Sequence, residues 1–110
     1  PPVSRDGNSL DSLLARAYSQ IAVNEYTAAA SALSVARLMI DDGLKATVAD
    51  EESRYRHTLL RQHLHDVDWL EAIILMKQGK WRKALRFLDA IAESQGPYSD
   101  SVREIVTASR

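Results

Sequence analysis

From Leu44 to Gln78 the chain runs 35 residues without a glycine or a proline. Those residues are the usual punctuation of turns, so so long a stretch without them reads as regular structure. Tyr55, Leu59, Leu60, Leu64, Val67, Leu70, Ile73 and Ile74 recur along it at helical spacing. Thr47 or Asp50 can cap its start, and Asp50, Glu51 and Glu52 suit the positive end of a helix. The spacing predicts one helix over about 50–78. The alternative is a break near His65, with Asp66 capping a new start. The whole chain holds four Gly and three Pro in 110 residues. No strand candidate emerges: the β-branched run around Ile73 lacks turn signals and sits among helix formers. The fold class expected is all-α.

Residues 1–8 are turn formers and read as a disordered lead-in; residues 9–110 read as one helical domain. Asn8 or Ser9 can cap a helix over 9–23 carrying Leu10, Leu13, Leu14, Ala17, Tyr18 and Ile21. Asn24 breaks that pattern and can cap a second helix reaching Asp42, with Tyr26, Ala29, Ala30, Leu33, Ala36 and Leu38 on its apolar face. Gly43 suits the left-handed position just past a helix end. Gly79-Lys80 is a tight connection. Trp81, Ala84, Leu85, Leu88 and Ile91 then form a face that ends before Gly96-Pro97. Ser99 or Asp100 caps a short last helix with Val102, Ile105 and Val106 on one side.

Two segments repeat one pattern. Asn24, Tyr26, Ala29, Leu33 and Ala36 match Gly79, Trp81, Ala84, Leu88 and Ile91 at identical spacing, 55 residues apart. Each is a turn residue, an aromatic, a small residue, a large apolar residue and a further apolar one. The second copy is preceded by Trp69, Ala72 and Leu75 and followed by Pro97, and the first is preceded by Leu13 and Ala17. In these residues the chain resembles a tetratricopeptide repeat protein, over about 10–42 and 65–98. The resemblance implies antiparallel helical hairpins in an α–α superhelix, with the aromatic plugging each hairpin and the small residue letting its helices approach. The family period is about 34 residues. The longer separation here comes from Leu44 to Leu64, read as a lengthened central helix serving both hairpins or as a repeat that has lost its second helix.

Fourteen Lys and Arg against 15 Asp and Glu leave a formal net charge of −1, which excludes a strongly basic nucleic-acid binder. Without cysteine there are no disulfides, thiolate metal sites or cysteine nucleophiles, and the redox compartment is unreadable. The longest unbroken apolar run, Ala72 to Met76, is far short of the ~20 residues of a membrane span. The chain opens Pro-Pro and reads as a fragment or a processed product. Nucleophile elbows, phosphate-binding glycine loops and the two-histidine zinc motif are missing. His63 and His65 are two apart and diverge on a helix; with His57 they read as solvated or rim residues. Asp68 and Glu71 stand three apart and can face together, paired with Arg61 or His65 on a solvated face. No enzyme, cofactor or metal is expected.

Lys77, Lys80, Arg82, Lys83 and Arg86 place five cations within ten residues, with no acid among them. They straddle the Gly79 turn at one end of the second hairpin. Phe87 stands off the Trp81–Ala84–Leu88–Ile91 stripe and reads as an exposed contact residue beside Arg86. Tyr26, Trp69 and Trp81 read as core. The resemblance implies a groove that binds peptides or helices of other proteins. The function expected is a non-enzymatic protein–protein interaction module, a scaffold or chaperone within a larger bacterial assembly or secretion system. The alternative is a regulatory helical domain that binds a phosphate, another anionic ligand or an acidic partner through the cluster. Two hairpins leave open ends, so a homodimer is expected; sequence-specific nucleic-acid binding is not.

Overall fold

The computed structural model describes residues 5–94 and 96–109, and these form five α-helices with no strand among them. They are α1 (Arg5–Ala22), α2 (Tyr26–Leu44), α3 (Glu51–Lys77), α4 (Trp81–Glu93) and α5 (Ser99–Ser109). Residues 1–4 of the expected lead-in lie outside the described residues, whereas Arg5 to Asn8 belong to α1 rather than to a lead-in. No proline follows position 2 until Pro97, and a lone Gly7 weakens a helix without breaking it.

Each helix packs on its neighbour in the chain, and α1 also touches α3. The direction of packing can be read from side-chain pairs. Gly43 lies against Leu60, and Arg37 reaches Asp68 and Glu71, so α2 and α3 run antiparallel. Asp11 lies beside His63, and Leu14 and Tyr18 share a cleft with Asp66 and Leu70, so α1 and α3 run parallel. The turns that follow α1 and α3 therefore lie at the same end of the molecule.

Those two turns have one geometry. Asn24 and Gly79 are both left-handed, at φ 66° and 76°. The N–H of Glu25 donates to Gln20 C=O at 2.8 Å and that of Asn24 to Ile21 C=O at 3.0 Å; Lys80 donates to Leu75 at 2.8 Å and Gly79 to Met76 at 3.1 Å. This is the Schellman closure, which satisfies carbonyls left over at a helix end. The next helix starts at once, and Glu25 and Lys80 are its N-caps, at φ −91° in both cases. Asn24 thus ends α1 instead of capping α2. Its Oδ1 accepts a hydrogen bond from the Tyr26 hydroxyl at 2.8 Å.

The equivalence continues into the packing. Ala17 and Ala72, Ala29 and Ala84, and Leu33 and Leu88 are each fully buried at positions 55 residues apart. Small residues let the paired helices approach, and the leucines fill the space beside them. Two cores result. One gathers Leu10, Ala17, Ala29, Leu33, Ala36, Ile40, Val67, Leu70 and Ile74. The other gathers Ala72, Leu88, Ile91, Val102 and Val106, with Trp69, Phe87, Tyr98 and Ile105 against it.

The central helix is continuous from Glu51 to Lys77, so Asp66 caps nothing. Its start is fixed by a capping box. Asp50 accepts from the Ser53 N–H at 2.8 Å, and Ser53 Oγ accepts from the Asp50 N–H at 3.1 Å. Gly43 is not the left-handed residue after α2; it lies inside the helix, which ends at Leu44. Its value is space, because a Cβ there would stand 2.7 Å from Leu60 Cδ1. Several apolar residues on the expected stripes are exposed. Leu38 is 69% exposed, about 200° round α2 from buried Ala36. Ala30 and Tyr55 are also exposed. Tyr55 lies about 200° round α3 from Ser53 and from His57, both buried, and so faces away from the covered side.

Candidate functional site

Between parallel α1 and α3 lies a cleft of about 380 Å³, bordered at one side by the α4–α5 connection. Leu14, Ala15 and Tyr18 line it from α1, Asp66, Trp69 and Leu70 from α3, and Tyr98 from the α4–α5 connection. Helical spacing explains the set, since 14 and 18, like 66 and 70, are one turn apart. Trp69 and Tyr98 stack at 5.5 Å between ring centroids, with 12° between planes. The Tyr98 hydroxyl donates to Asp66 Oδ1 at 2.5 Å. That hydrogen bond, with partial burial and the carboxylate's charge, pushes the Tyr98 phenol up to about 12. Asp66 Oδ2 lies 3.9 Å from His63 Nδ1, and His63 Nε2 lies 3.7 Å from Asp11. The cleft therefore has aromatic walls fixed by stacking and one carboxylate whose direction is fixed by a phenol.

Tyr18 stands at its rim, 68% exposed. Helical spacing alone places Tyr18 on the buried face of α1; α3 and α5 leave that side open. Sequence reading assigns no role to Tyr98 and offers Asp66 only as a cap for a new helix start. They lie 32 residues apart, and only the α3–α4 hairpin, which returns the chain to the level of Asp66, brings them together.

The expected docking residues divide. Lys77, Lys80, Arg82, Lys83 and Arg86 are all exposed around the α3–α4 turn. Phe87 is not an exposed contact; it is half-buried against the second core. α4 packs on both α3 and α5, which widens its covered arc to include position 87. Trp81 is the reverse case, expected in the core and 48% exposed. It opens α4, and Gly79 offers no side chain to hold it as Asn24 holds Tyr26. Tyr26 and Trp69 are half-buried rather than fully enclosed.

Asp68 and Glu71 do face together, but their partner is Arg37 of α2, not Arg61 or His65. The Arg37 guanidinium reaches Asp68 at 2.8 Å and Glu71 at 2.9 Å. Partial burial works against the charged guanidinium, and the hydrogen bonds and charges of the two carboxylates outweigh it, leaving its pKa raised. This group locks α2 to α3 and lies apart from the lining of the cleft. His57 is buried, with Nε2 unpartnered among the described residues, rather than solvated. His65 sits under Gly96, where a Cβ would stand 2.6 Å from its ring. Among the described residues no three His, Asp or Glu side chains converge as a metal site would require. None of the helices described is long and apolar enough to cross a membrane.

Comparison of the chain with protein-family models, with curated proteins and with solved structures found no match.

Proposed function

We propose that this chain is a non-enzymatic protein-interaction module built from two tetratricopeptide-like hairpins, a scaffold or chaperone unit of a larger bacterial assembly, and that it receives a peptide or helix of its partner in the α1–α3 cleft. The observation that carries this reading is the cleft's lining. Tyr18, Trp69 and Tyr98 present aromatic surface beside Leu14 and Leu70, with Asp66 supplying one oriented acceptor. Apolar walls with a few directed polar groups are what a recognition site needs, and tryptophan and tyrosine are enriched among the few residues that dominate protein contacts. The two hairpins share a turn geometry and a set of buried positions, which supports reading them as repeats.

The test is selection of binding peptides from a displayed library, followed by titration of the winners. Tyr18→Ser should weaken those peptides at least tenfold while leaving the melting temperature in place, because Tyr18 is largely exposed. Peptides that bind the Tyr18→Ser and Leu14→Ser chains as tightly as the parent would remove the cleft from the reading.

A further inference from the structure

We propose that the end of the molecule formed by the α3–α4 turn docks on an anionic lipid surface, with Lys77, Lys80, Arg82, Lys83 and Arg86 meeting headgroups and Trp81 entering the headgroup layer. This is a second contact surface, independent of the cleft.

The cations are not explained by the fold. All five are exposed, and none makes an ion pair or side-chain hydrogen bond among the described residues. The first hairpin provides an internal control, because its turn has the same hydrogen bonds and dihedral angles. At the five equivalent positions it carries Ala22, Glu25, Thr27, Ala28 and Ser31. A turn of this geometry therefore forms without any cation, and the second one has gained five. Away from this cluster, nine of the chain's 14 Lys and Arg face 15 Asp and Glu. A nearly neutral protein thus has a positive end and a negative remainder, which orients it against a negative surface.

The aromatic residue follows the same contrast. Tyr26 is tied down by its hydrogen bond to Asn24, whereas the equivalent Trp81 is 48% exposed and flanked by Lys80, Arg82 and Lys83. Val23, in the neighbouring turn at this same end, is exposed as well. An indole at the level of lipid headgroups is a favourable placement.

Shape decides between a lipid surface and an acidic peptide. The cations occupy exposed positions around the α3–α4 turn and along α4, and Trp81 stands exposed at the start of that helix. A peptide gains most where a concave surface encloses it, and the aromatic cleft of this molecule lies elsewhere, between α1 and α3. A fluid headgroup layer meets an exposed turn and helix start without having to be enclosed by them. Weak charge attraction and a shallow apolar insertion are the two signals that together hold a peripheral protein.

The experiment is co-sedimentation of the full chain with phosphatidylcholine vesicles, with or without phosphatidylglycerol, at physiological ionic strength. Binding is expected only where phosphatidylglycerol is present, and it should vanish in near-molar salt. Each cation at such a surface strengthens binding roughly fivefold. The K80Q/R82Q/K83Q chain should therefore bind roughly a hundredfold more weakly, with circular dichroism unchanged because the positions are exposed. Vesicle binding should shift tryptophan emission to the blue in the parent and in Trp69→Phe, but not in Trp81→Phe. Equal binding to both vesicle types, or binding by the triple variant at parental strength, would overturn the proposal. So would binding to polyglutamate with none to phosphatidylglycerol vesicles, which would assign the patch to an acidic protein partner.

Discussion

Gly43 of α2 lies directly against Leu60 of α3: a Cβ on the glycine would stand 2.7 Å from the leucine's Cδ1. Gly43 is the next-to-last residue of α2, and its missing side chain leaves that space to Leu60.

Gly43→Leu should lower stability by about 1–3 kcal/mol through overpacking. Leu60→Ala in the same chain should recover part of that loss, because the two side chains then share one space. Thermal melts of the single and double variants give the answer. A Gly43→Leu chain that melts with the parent would mean that the two helices stand farther apart here.

Gly79→Ala should cost about 1–2 kcal/mol, since φ is 76° and a Cβ is disfavoured in the left-handed region. Nothing lies within 4 Å of the added atom, so the cost is conformational rather than steric crowding by neighbours. Gly79→Asn should cost less, because Asn24 occupies the same conformation in the first hairpin. Equal losses for alanine and asparagine in denaturant unfolding would contradict the equivalence of the two turns.

Ala29 and Ala84 are fully buried where paired helices meet. Ala29→Leu and Ala84→Leu should each destabilise by about 1–3 kcal/mol. Ala30→Leu serves as the control, because Ala30 is exposed one position further along α2. If Ala29→Leu and Ala84→Leu melt no earlier than Ala30→Leu, the hairpin packing is wrong.

Arg37 Nη2 donates to both carboxylates and Nε adds a second contact to Glu71 at 3.3 Å, so Arg37→Lys should destabilise although it keeps the charge; an ammonium has no second nitrogen for the Nε contact. Arg37→Met should cost about 1–3 kcal/mol, much of it from leaving Asp68 and Glu71 facing each other unpaired. Adding Asp68→Asn should return part of that cost. Additive losses across the double-mutant cycle would show that Arg37 and Asp68 are not coupled.

These tests weigh unevenly on what the sequence discloses. Asn24 and Gly79 were legible as turns because a left-handed residue leaves a compositional mark, and Asp50 was legible as a cap because its chemistry is local. Helical continuity through His65 followed from the missing breakers. Leu38, Tyr55 and Trp81 misled because periodicity reports which residues share a face, not whether a neighbour covers it. Gly43 misled for a related reason: a glycine needed for another helix's approach looks the same as one needed for its own dihedral angle. The Asp66–Tyr98 and Arg37–Glu71 contacts join residues more than 30 positions apart. Only the packing of the hairpins determines those partners.

Tyr98 makes the cleft measurable by pH. Its folded phenol is raised to about 12 from an ordinary 10, chiefly by the hydrogen bond to Asp66. Below pH 10 the phenol is protonated whether the chain is folded or not, and its contribution to stability is complete. Between pH 10 and about 12 the unfolded chain loses the proton first, so the contribution falls away as pH rises. Tyrosinate absorbance of the folded chain should show one of the four tyrosines titrating late. Tyr98→Phe should delete that phase and Asp66→Asn should bring it down. A late phase that survives Tyr98→Phe would place it on another tyrosine.

The central helix gives Val67, Leu70 and Ile74 to one core and Ala72 to the other. No cut between the hairpins can therefore yield two self-sufficient halves. Cleavage in the 45–50 connection strips α3 from the first hairpin and leaves Leu33 and Ile40 without their cover. Cleavage after α3 leaves Ala72 facing water and α4 with only α5 for company. Although its pattern repeats, the molecule is indivisible: its smallest folding unit is the pair of hairpins joined through α3.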